Sequence, residues 1–137
     1  MLIDKLIRSA IGTALTGNVL NGTNTVSVYN KVPDGALMPY IEIIGQSTRT
    51  DGGDKDDRGF NTNVPIRILT KAINGLGGDE EVDDLEQQVI DLIDGVITIS
   101  GYRIINTEYT SQSFTQQFGS EFQTHKILNF FYQILKN

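Results

Sequence analysis

Phe60, Thr62, Val64, Ile66 and Ile68 alternate with Asn61, Asn63, Pro65 and Arg67, and this two-residue period constrains the fold more than any other stretch. It is the pattern of a strand with one buried face and one wet face. A sheet built around it needs apolar cover on one side only. Two segments can supply that cover. From Leu2 to Thr16, the residues Ile3, Leu6, Ile7, Ala10, Ile11 and Ala14 recur at helical steps of three and four, and Gly17 is a fitting stop. After the punctuation Gly75-Leu76-Gly77-Gly78, Asp79 can cap a second helix whose seam is Val82, Leu85, Val89, Leu92, Ile93 and Val96, with Gly95 at its frayed end.

Further strands are expected at Val26 to Tyr29, before the turn Pro33-Asp34-Gly35, and at Tyr40 to Ile44. Two more are expected at Tyr102 to about Tyr109 and at Phe122 to Leu135. Between them lie two segments that read as polar loops, Gln46 to Gly59 and the stretch carrying Phe114 and Phe118. Pro65 suggests an edge or a bulge. The order α-β-β-β-α-β-β predicts an α+β fold: one domain over residues 1–137, a mostly antiparallel sheet of about five strands, and two helices packed on one face. A chain of 137 residues with 39% hydrophobic side chains can bury one such core. The last strand exceeds the usual length, so part of it is expected to project or to pair outside its own sheet.

Charge and composition exclude several functions. With no cysteine there is no thiol nucleophile, disulfide or cysteine metal site. The opening residues include Asp4, Lys5 and Arg8 and lack the apolar run of a signal peptide, and no stretch reaches membrane-spanning length. A net charge of -6 opposes binding along nucleic-acid phosphates. Eight acids and no base lie between Asp79 and Asp94, against nine acids and eleven bases elsewhere.

The catalytic and metal motifs fail on inspection. With Asp54 first in a calcium loop, position five is Arg58 and position twelve is Pro65, where a bidentate Glu is needed. The glycines before Asp79 lack the Lys-Ser/Thr of a phosphate loop and the third glycine of a dinucleotide fingerprint. The single histidine, His125, has no Gly-x-Ser-x-Gly elbow to serve and is expected at a surface or edge. Asp79, Asp83 and Glu86 share a helix face that could hold a divalent cation, although a solvated face is the simpler account of them. Phe114 and Phe118 either anchor a loop to the core, the preferred reading, or form an exposed patch.

The run Val28-Tyr29-Asn30-Lys31-Val32-Pro33, followed by Pro39-Tyr40-Ile41-Glu42-Ile43-Ile44-Gly45, resembles the most recognisable segment of the tail-completion or tail-terminator proteins of long-tailed bacteriophages. The likeness continues through the Asp- and Gly-rich loop, the strand from Gly59 into Ile68, a helix after glycines and two closing strands. Family members often carry an aromatic late in the third strand, where this chain reads Ile68-Leu69-Thr70-Lys71.

The resemblance implies a virion protein of the tail or neck, assembled in the host cytoplasm, that forms a ring commonly of six subunits. Such a ring stops tail-tube polymerisation and presents a face to the head-tail connector, while DNA passes through without specific binding. It implies no cofactor, no metal, no membrane and no catalytic residue. The expected partners are the chain itself, the tube protein and the connector. On this reading the two polar loops supply the contacts, through Arg49, Asp51, Asp54, Asp56, Asp57, Arg58, Phe114 and Phe118. Asp83, Asp84 and Glu86 of the acidic helix would border the lumen or a neighbouring subunit. The alternatives are a head-completion or neck adaptor protein and, more distantly, a metal-dependent hydrolase using the acidic cluster.

Overall fold

The computed structural model describes residues 2–50, 59–73, 79–94 and 97–137. Helix α1 (Leu2–Leu15) buries Ile3, Ile7, Ile11 and Leu15, one residue per turn on a single face. Its end is set by Gly17, whose φ of 79° is the left-handed conformation that closes a helix at little cost to glycine. Asn18 completes the cap, donating its side-chain amide to the Ala14 carbonyl at 2.9 Å and its backbone N–H to Leu15 at 3.0 Å.

The stretch after α1 holds a small hairpin of β1 (Leu20–Asn21) and β2 (Asn24–Thr25), turned at Gly22 with φ 65°. The main sheet then collects β3 (Ser27–Tyr29), β4 (Tyr40–Ile43), β5 (Ser47–Thr50), β6 (Gly59–Ile73), β7 (Tyr102–Phe118) and β8 (Glu121–Lys136). Helix α2 (Asp79–Ile93) lies between β6 and β7 in the chain. The sheet order is β3-β4-β6-β8-β7, with β5 also on β6. All neighbours are antiparallel except β3 and β4, which are parallel because the connection 30–39 crosses over instead of closing a hairpin.

Three segments differ from expectation. The stretch from Gln46 to Gly59 is not all loop, since Ser47–Thr50 pairs with β6 at Asn63 to Phe60; residues 51–58 lie outside the described residues. The stretch carrying Phe114 and Phe118 is strand: β7 runs unbroken to Phe118 and turns back through Gly119, with φ 64°, and Ser120. Tyr109 to Phe118 contains no Gly, Pro, Asn or Asp to break a strand. Its side chains alternate between two largely exposed faces, so no apolar period announces it. Finally, β8 does not leave its own sheet. It pairs with β6 from Gly59↔Leu135 to Ile73↔Glu121 and with β7 along its whole length.

Pro65 sits inside β6 without breaking it. In a strand the N and C=O of one residue point to the same side, and the Pro65 carbonyl accepts from the Ile44 N–H at 2.9 Å. The missing N–H of Pro65 therefore faces the place where the partner of β6 changes from β4 to β5, not toward β8. The only shift in the β7–β8 register falls at Ile105, an extra residue between Ile104 and Asn106.

Both helices cover the same face. Ile41 and Ile43 of β4, Val64, Ile66 and Ile68 of β6, and Leu128, Phe130, Tyr132 and Ile134 of β8 form one buried cluster with α1, with Val82, Leu85, Val89 and Ile93 of α2, and with Ile97 and Ile99. Tyr132, 1% exposed, donates its hydroxyl to the Ile93 carbonyl at 3.0 Å and so ties the central strand to the end of α2. The opposite face carries Asn61, Asn63, Arg67, Asn129, Phe131 and Gln133, the wet half of the alternation.

Candidate interaction surfaces

The helix-free face is built by register. Tyr40, Leu69, His125 and Phe114 stand directly opposite one another on β4, β6, β8 and β7, so four strands contribute to one apolar row. Tyr29 meets Tyr40 edge to face at 5.8 Å between ring centres. Near this row Arg67 pairs with Glu42, with Arg67 Nε donating to Glu42 Oε1 at 3.0 Å.

His125 is not at a surface or an edge. It is 7% exposed because its strand is flanked on both sides and Phe114 stacks on its ring, 4.5 Å away and 7° from parallel. Its Nε2 lies 3.2 Å from Gln116 Oε1. Burial, reinforced by the Arg67 charge, pushes its pKa below the ordinary value and favours the neutral ring.

Phe114 is 39% exposed and Phe118 55%. Neither anchors a loop. Both sit on the helix-free face of β7, Phe114 against His125 and Phe118 opposite Glu121 beside the turn. Arg49, exposed on β5, borders a shallow groove of about 460 Å³ with Ser47, Asn63, Glu108, Phe131 and Gln133. Of the remaining candidates, Asp51, Asp54, Asp56, Asp57 and Arg58 lie outside the described residues.

The acidic helix is less uniform than its sequence. Lys126 of β8 reaches Asp83 at 3.7 Å and Glu86 at 3.5 Å, and Ser111 of β7 donates to Glu86 at 2.7 Å. An ammonium group thus stands where a cation shared by these two carboxylates would sit. Asp84 instead accepts from Gln88 at 3.0 Å, and Gln88 bonds both backbone groups of Leu20 at 2.8 Å. The Asp79 side chain is outside the described residues, and among those described no group of three or more His, Asp or Glu is placed to hold a metal ion. Burial raises the Glu81 carboxyl above its ordinary pKa.

The residues missed by sequence reasoning are Tyr40, Leu69 and the Arg67–Glu42 pair. Their signal was present in the alternation itself, because the wet half of a strand is the half free to meet a partner, but their alignment depends on pairings between distant segments.

Together these features define a class: an α+β protein whose exposed chemistry is one open sheet face with an aromatic row and a long strand edge. No family model matches the chain, and no curated protein matches it significantly. Among solved structures the fold is shared with a chain of the virion of a native gene transfer agent particle, with a TM-score of 0.57 over 96% of this chain and 94% of that one, at 15% identity. At that identity the likeness is one of fold.

Proposed function

We propose that this chain is a structural subunit of a phage-type virion, and within the virion a tail-completion protein that closes the tail tube as a homo-oligomeric ring. The observation that carries this reading is the end-to-end fold match to a virion chain. The motif around Val32-Pro33 and Pro39-Tyr40-Ile41 supports the narrower assignment. A terminator needs one surface that accepts the last tube ring and another that refuses a further tube subunit, and it needs closed symmetry. The helix-free face with Phe114, Phe118 and Arg49, and the outer face of α2, are two surfaces of different chemistry suited to those roles. In this reading the partners are further copies of the chain, the tube protein and the head-tail connector. DNA crosses the ring without base-specific contacts, and the protein acts through binding surfaces instead of catalysis.

The test is electron microscopy of tubes polymerised from the tube protein in the presence and absence of this chain. Tubes of limited length with a ring at one end are expected. Tubes that lengthen unchanged refute tail completion, and a ring that binds only the head-tail connector would assign the chain to the neck.

A further inference from the structure

Strand β7 is the end of the sheet, and among the described residues nothing pairs with its outer edge. From Tyr109 to Phe118 this edge carries no charge, no proline and no glycine, and the single bulge lies outside it at Ile105. Proteins normally blunt an open edge with charge, proline, a bulge or a covering segment. This stretch of β7 has none of these, so it is suited to pair with another strand.

Among the described residues the other end of the sheet is also open, at the three residues of β3, and only up to Val26, whose N–H is taken by the Val19 carbonyl at 2.9 Å beside the β1 hairpin. Following the pairings across the sheet, Ser27, Val28 and Tyr29 stand level with Phe114, Ser113 and Gln112. β3 therefore lies at the height of the charge-free part of β7, and the two strands run in opposite directions. In a closed ring with strands along its axis there is no rise from copy to copy, so segments at one height meet. The two ends would meet as an antiparallel ladder.

Charge selects this joint over the pairing of β7 with itself. At the β7 end, Asp83 and Glu86 of α2 share one cation, Lys126, and leave a net negative charge to which exposed Asp94, just past the end of the helix, adds, while Asp84 lies on the other flank of α2 beside Gln88 and Leu20. At the β3 end, Lys5 and Arg8 of α1 border a shallow depression with Asn30, next to Lys31, with Asp34 the acid in the adjoining connection. Joining β7 to β7 would set acidic helix against acidic helix, whereas joining β7 to β3 sets acids against bases.

We propose that the open edge of β7 is joined at Gln112, Ser113 and Phe114 by β3 of a second copy of this chain, so that copies join head to tail through a sheet continuous across the boundary. The proposal rests on the ring reading above and specifies its joint. It also extends the apolar row, because Phe114 of one copy meets the neighbouring copy at the level of β3, beside Tyr29 and Tyr40.

The chain has no cysteine, so Ser27→Cys and Gln112→Cys introduce unique thiols at exposed positions two residues out of register on the same face. The two single variants are mixed, treated with a short bis-maleimide and weighed by mass spectrometry, with light scattering to record the oligomer. Dimers carrying one of each variant are expected, neither variant alone should crosslink, and a chain with both thiols should give a ladder ending at the ring size. Self-crosslinking of Gln112→Cys, an oligomer without crosslinks, or a chain that stays monomeric at its highest soluble concentration overturns the proposal. Rings seen by microscopy without the mixed crosslink sink the joint and leave the ring. The mixed ladder without any effect on tubes leaves the joint and sinks tail completion.

Discussion

Replacing Tyr132 with Phe removes one oxygen from the centre of the protein and tests how the sheet holds α2. The hydroxyl belongs to a side chain 1% exposed and donates to the Ile93 carbonyl at 3.0 Å, one of the last carbonyls of the helix, which have no partner within it. Losing a neutral hydrogen bond and stranding its acceptor should cost about 1.5 kcal/mol, or about 6 °C in Tm for a domain of this size. The pH dependence makes the test specific. Burial, with the Asp94 charge, pushes the phenol above its ordinary pKa of 10.0. The unfolded chain therefore releases this proton first. The stability Tyr132 contributes is intact below about pH 10 and is lost as pH rises, by up to about 1.4 kcal/mol per pH unit. Urea denaturation of both proteins at about pH 7, 9, 10 and 11 should show Tyr132→Phe less stable at neutral pH, with the difference shrinking or reversing above about pH 10. Tyr40, whose phenol burial also raises, titrates in both proteins and cancels in the comparison. Equal stability at neutral pH together with parallel alkaline losses would refute the reasoning.

His125 should titrate below its ordinary value of 6.5 when followed by NMR, and stability should fall as pH drops below that value, because the unfolded chain takes up the proton that the buried ring resists; a ring that titrates at or above 6.5 contradicts this. Phe114→Ser should lower stability by about 1–2 kcal/mol through loss of the stack on His125, whereas Phe118→Ser, beside the turn, should cost under about 0.5 kcal/mol. If the pair forms a contact surface, Phe118→Ser should nevertheless reduce tail completion, and normal tails would remove Phe118 from that surface. Changing Asp83, Asp84 and Glu86 together to the amides should leave assembly intact but slow DNA ejection if α2 borders the lumen. If α2 borders a subunit joint, assembly should become insensitive to salt and magnesium, and no change in either readout assigns these acids to open solvent.

Sequence periodicity was most informative where a residue's surroundings are imposed by its own element. Ile3, Ile7, Ile11, Val82, Leu85, Val89 and Ile93 face the core because a helix turns its own side chains at a fixed angle, and Val64, Ile66 and Ile68 do so because a strand alternates. It was silent where the environment comes from elsewhere in the chain. Thr110 to Gln117 are exposed and, Phe114 apart, polar, yet they are strand because β8 offers a complete row of partners. His125 is buried because Phe114, across the ladder, lies on it. Lys126 belongs to the last strand and Asp83 and Glu86 to the second helix, and only the folded chain brings them together. Their separation in sequence hid the ion pairs that divide the acidic helix into compensated and free carboxylates.

The position of β8 has a consequence for synthesis. It is the strand that both β6 and β7 lean on, and it follows every other strand in chain order. Among the described strands, until it emerges from the ribosome β6 has no partner on that side and β7 has none at all, so the last of these strands to be made holds the sheet together. Contacts this distant in sequence form slowly, since the intervening chain must be ordered first. A chain cut short within β8 would lack the whole middle of the sheet, not merely its end, and would expose the apolar residues of β6 and both helices to chaperones and proteases. Synthesis of β8 and competence to form the sheet are in this way the same condition.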